Sequence, residues 1–78
     1  MFGELLCHYL KAQGLTQTKF SRMYGASTAY ISYLINGKKI PSSKAVDKIA
    51  DILQVPMNMR YELHRAAAIG AGYKINQD

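Results

Sequence analysis

The 78 residues carry ten Lys or Arg against five Asp or Glu, a net charge of +5, and a chain of this length is expected to form one domain with a modest core and no separate ligand-sensing module. The basic excess is concentrated, with seven basic residues and one acid, Asp47, between Lys11 and Lys48, and such an excess points either to nucleic acid or to a merely solvated face. No apolar run approaches the ~20 residues of a membrane-spanning helix, the start of the chain has Glu4 where a secretory leader would be basic, and the lone Cys7 cannot form an internal disulfide, so a cytoplasmic protein is expected.

Phe2, Leu5, Leu6, Tyr9 and Leu10 recur at intervals of three and four, which predicts a first helix over residues 2 to 13, closed by Gly14. Leu15 is expected to tuck under the next element. Thr16 can cap a second helix headed by Gln17, and Gly25 supplies the left-handed conformation that ends it. Ser27 then starts a third helix, STAYISYLIN, with Ile31 and Leu34 as its inner pair. Phe20, Tyr24, Ala26, Ile31 and Leu34 fall where two crossing helices bury contacts, and Ser21 is small enough to let their backbones approach. Asn36-Gly37 is a second stop signal, followed at once by Lys38 and Lys39.

Pro41 blocks continuation, and Ser42 or Ser43 caps a fourth helix whose inner face carries Val46, Ile49, Ala50 and Leu53. Pro56 separates it from a fifth, about Asn58 to Ile69, with Met59, Leu63 and Ala66 or Ala67 inward and Arg60, Glu62 and Arg65 toward solvent. No strand pattern appears before Gly70. The ending GAGYKINQD reads as disordered, as a short strand or as an arm that contacts a second copy. The fold class is all-α, with four or five helices.

The run from Leu15 to Lys38, L-T-Q-x-x-F-S-x-x-x-G-A-S-x-x-Y-I-S-x-L-I-N-G-K, resembles the Xre/Cro family of helix-turn-helix regulators, which includes the lambdoid phage repressors. Looser similarity continues through PSSKAVDKIADILQVP, so the resemblance covers about two thirds of the chain. It implies a compact, lambda repressor-like DNA-binding domain over residues 1–69, with the motif at 16–37, and a tail at 70–78 that is either a dimer contact or disordered.

If the third helix enters the major groove, its first turn and the positions one turn later point to base edges: Ser27, Thr28, Ala29, Ser32 and Tyr33. The resemblance puts the last four at the family's usual base-reading positions. Thr and Ser hydroxyls are tolerant readers and the face lacks an Arg to grip guanine, so modest direct readout supplemented by DNA shape is expected. The resemblance gives Gln17 a phosphate contact. Thr16, Lys19, Arg22, Asn36, Lys38, Lys39, Ser43 and Lys44 are further phosphate candidates, and Tyr30 either reaches a phosphate or rests on the first helix.

One such unit reads only a few base pairs, so a homodimer on a palindromic site with half-sites about 34 Å apart is expected. The family's usual interface, around the last helix and tail, would here involve Met57, Met59, Tyr61, Leu63, Tyr73 and Ile75. Repression is the commoner outcome in the family. An alternative class is an antitoxin-type interaction module that binds a toxin partner and controls its own operon. Catalytic chemistry has no support: Cys7 and His8 are neighbours that point roughly 100° apart on a helix, and one Cys with two distant His makes no recognisable zinc site. No cofactor is implied.

Overall fold

Five helices account for most of the described chain: α1 (Phe2–Ala12), α2 (Gln17–Tyr24), α3 (Thr28–Ile35), α4 (Ser43–Ile52) and α5 (Met57–Asn76). The structure is a computed structural model, described here for residues 1–76, with side chains through Gly70, and no strand occurs among the described residues. The all-α reading is therefore met.

The starts of the three middle helices follow from short hydroxyl side chains in extended backbone. Thr16 Oγ accepts from the Lys19 amide at 3.1 Å, Ser27 Oγ from Tyr30 at 3.1 Å, and Ser42 Oγ from Ala45 at 3.2 Å. Each satisfies one of the free amides of a first turn. Ser42 is thus the cap of α4, and Ser43 is its first helical residue. Gly25, at φ 88°, ends α2 and lets its own amide and that of Ala26 both return to the Ser21 carbonyl.

The core is a single cluster in which Leu6, Phe20, Ile31, Leu34, Val46, Ile49, Leu53 and Leu63 are fully buried. Around it α1 packs on α3 and α5, α2 on α3 and α4, and α4 on α5. Ser21 is buried at 3 % exposure, its hydroxyl donating to the Thr18 carbonyl at 2.7 Å. That internal bond removes the cost of hiding a hydroxyl at a helix crossing.

Four details depart from the sequence reading. The helix expected to end near Ile69 runs on to Asn76, through Gly70 and Gly72. A glycine inside a helix costs only about 1 kcal/mol relative to alanine, and no proline follows to stop propagation. Met59, expected inward, is 40 % exposed. The first turn of α5 projects past the core, and Arg60, expected in solvent, folds back half-buried to donate to the Val55 carbonyl at 3.0 Å and to pair with Asp51. Leu63 is fully buried in the core, so it is no contact for a second copy. The expected contacts Tyr73 and Ile75 have side chains outside the described residues.

Candidate nucleic-acid interface

Helix α3 is held by its inner side. Ile31 and Leu34 are 0 % and 1 % exposed, and at 100° per residue their burial turns Thr28, Ala29, Ser32 and Tyr33 onto one outward arc. Thr28 and Ala29 are exposed, Tyr33 is 42 % exposed, and Ser32 is half-buried with its hydroxyl accepting from Asn36 Nδ2 at 3.2 Å. Ser27, just before α3, is exposed, but its hydroxyl also caps the helix.

Cations close the far end of this arc. Lys38 Nζ lies 6.0 Å from the centre of the Tyr33 ring and Lys39 Nζ lies 5.7 Å from that of Tyr30. Gly37, at φ 75°, turns the chain so that both lysines return past the end of α3, their amides bonded to the Tyr33 carbonyl. Tyr30 itself is half-buried against the core, its ring 5.9 Å from that of Tyr24 on α2. Burial, and then the neighbouring Tyr30 phenol, raise the Tyr24 hydroxyl above its ordinary value, which favours the neutral ring.

The other phosphate candidates lie on exposed surface. Thr16, Gln17, Lys19 and Arg22 are exposed on and before α2, Asn36 at the end of α3, and Ser43 and Lys44 at the start of α4, where amides of the first turn have no helical partner. Thr16 shares its hydroxyl with the α2 cap.

The acids of α4 are drawn to the opposite side. Asp47 Oδ1 is 2.7 Å from His64 Nε2, and Asp51 pairs with Arg60, both partners on α5. Among the described residues no lysine of α4 forms an ion pair with these acids. Lys48 was missed in the sequence: its Nζ lies 4.3 Å from the Tyr24 ring centre, a contact between residues far apart in the chain that no local pattern signals. Among the described residues there is no group of three or more His, Cys, Asp or Glu that could hold a metal ion, and no helix is long and apolar enough to cross a membrane.

Comparison with known proteins agrees with this geometry. The family described as Helix-turn-helix matches residues 8–59. The ImmF control region 10 kDa protein of Bacillus phage phi105 is 32% identical over 57 residues, which cover 73% of this chain and 63% of that protein. The chain therefore spans less than two thirds of that relative's length. No solved structure matches. With the family's match extending across α2, α3 and α4 and the exposed arc of α3 in its frame, the chain belongs to the Xre/Cro-like helix-turn-helix family of DNA-binding transcription regulators.

Proposed function

We propose that the protein is a repressor that binds as a homodimer to a palindromic operator. Ser27, Thr28, Ala29, Ser32 and Tyr33 read base edges, while Thr16, Gln17, Lys19, Arg22, Asn36, Lys38, Lys39, Ser43 and Lys44 hold the phosphates on either side. The observation that carries this reading is the outward arc of α3, locked from beneath by Ile31 and Leu34 and flanked by lysines. An eight-residue helix presenting small hydroxyl and methyl groups fits a major groove, and an Arg-free arc suits modest base discrimination. Tyr30, packed on Tyr24, keeps only its edge for a phosphate.

The similar phage protein is named for a control region, which supports regulation of transcription as the role. For the second copy, Met57 and Tyr61, one turn apart on α5 and 79 % and 68 % exposed, offer an apolar surface, while Met59, 40 % exposed, lies on another side of the helix.

Selection of binding sites from random-sequence duplexes, followed by titration of the recovered site in rising salt, tests the reading. A palindromic consensus with a steep salt slope is the expected result. Salt-sensitive binding without sequence preference would remove the specific-operator claim, and absence of binding at low salt would remove the DNA role of this surface.

A further inference from the structure

Lys48 sits on α4, outside the two-helix unit, yet its ammonium lies over a ring of that unit. The 4.3 Å from Nζ to the Tyr24 centroid is well inside the ~6 Å over which an aromatic face attracts a cation. Tyr24 meets Tyr30 with ring centres 5.9 Å apart and planes at 30°, and Lys39 Nζ lies 5.7 Å from the Tyr30 ring. On its other side Tyr24 touches the fully buried Phe20, ring centres 6.1 Å apart. A row of Lys48, Tyr24, Tyr30 and Lys39 therefore crosses from α4, over the end of α2 and the flank of α3, to the segment after it.

The surroundings favour this contact. Asp47 and Asp51, the acids nearest Lys48 on α4, pair with His64 and Arg60 on α5. Tyr24 is a neutral ring, so Lys48 meets an aromatic face and not a phenolate. An eight-residue helix is too short to hold itself. Its rotation depends on what grips it: Ile31 and Leu34 from beneath, and Tyr30 from the flank.

We propose that Lys48 is a positioning residue for DNA reading: seated on Tyr24, it clamps the Tyr24–Tyr30 stack and through it sets the rotation of α3, which carries Thr28, Ala29, Ser32 and Tyr33. The inference rests on the DNA-binding reading above. It differs from a phosphate contact in a measurable way. A positioning residue alters binding to a preferred site without altering the number of ions released, whereas a phosphate contact weakens every duplex and lowers the salt slope.

The test compares Lys48→Met, Lys48→Arg, Tyr24→Leu, Tyr24→Phe and the Lys48→Met/Tyr24→Leu double variant on the duplex recovered by selection and on a mixed-sequence duplex. Lys48→Met and Tyr24→Leu are each expected to weaken the selected duplex by about 2- to 5-fold, the range of one exposed cation–aromatic contact. Lys48→Arg and Tyr24→Phe should retain binding, the double variant should be no weaker than Tyr24→Leu alone, and the salt slope of Lys48→Met should equal that of the unaltered protein. In NMR spectra of the free protein the Lys48 ε-methylene protons should be shifted upfield by the ring, and Tyr24→Leu should abolish the shift.

Equal loss on both duplexes with a slope smaller by about one ion would make Lys48 a phosphate contact and overturn the proposal. Additive losses in the double variant, or no ring shift in the unaltered protein, would overturn it as well. A protein that shows the ring shift yet selects no site would overturn it through the DNA reading, with the row of side chains left standing.

Discussion

Gly3 of α1 stands with its Cα directly against the carbonyl of Ile35, the last residue of α3, so close that a Cβ built on Gly3 would overlap that backbone oxygen and carbon. The N-terminal helix thereby braces the far end of α3 through backbone, not side chain. A glycine early in a helix is unfavourable by itself, and its presence is repaid by this approach.

Gly3→Ala should therefore cost about 1–3 kcal/mol, the usual range for overpacking, because the atoms it meets are backbone and cannot rotate away. Urea unfolding would measure the loss, and the same variant should bind DNA more weakly as the end of α3 moves. Stability equal to the unaltered protein would show that the two helices separate without strain.

The hydroxyl caps separate structural from reading roles. Ser42→Ala removes the acceptor for the Ala45 amide and should cost about 1 kcal/mol, with the DNA salt slope unchanged. Ser43→Ala, one residue later, should be close to neutral in stability. A reversed order in thermal melts would contradict the assignment of Ser42 as the cap.

Base and phosphate contacts should be distinguishable by their signatures. Thr28→Ala and Ser32→Ala should change which sites are selected while leaving the salt slope as it was. Lys38→Met or Lys44→Met should weaken all duplexes alike and reduce the slope by about one. If Thr28→Ala and Ser32→Ala both left the selected consensus untouched, the exposed arc of α3 would not be the reader.

Tyr24 gives a stability change at high pH. Its hydroxyl is raised from the ordinary value of 10.0, mainly by burial, so the folded protein holds this proton more tightly than the unfolded chain. The contribution to stability is then complete below the ordinary value and is lost as pH rises through the folded value. Denaturant unfolding at a series of pH values should show a decline above about pH 10 that is shallower in Tyr24→Phe. Identical pH profiles would mean that the phenol is as well solvated folded as unfolded.

Two positions on α5 should dissociate folding from assembly. Leu63→Ala empties a fully buried site and should cost about 2–5 kcal/mol. Tyr61→Ser, at a side chain 68 % exposed, should leave unfolding nearly unchanged and weaken self-association in sedimentation. Equal self-association of Tyr61→Ser and the unaltered protein would move the contact between copies away from the first turns of α5.

What the chain alone determined is what neighbours within four positions control. Thr16 and Ser27 bond amides three residues on, Gly25 and Gly37 adopt the positive φ that ends a helix, and the spacing of Ile31 and Leu34 decides which side of α3 faces out. The length of α5 depends on equally local effects, because each of its two glycines is only a modest cost within an otherwise helical run. Tertiary structure alone decided the rest. It brought Lys48 onto Tyr24, set Gly3 against Ile35, turned the acids of α4 toward His64 and Arg60, and left Met59 past the edge of the core. These contacts join residues on different helices, and their geometry depends on how helices cross around the shared core, a quantity that no window of sequence contains.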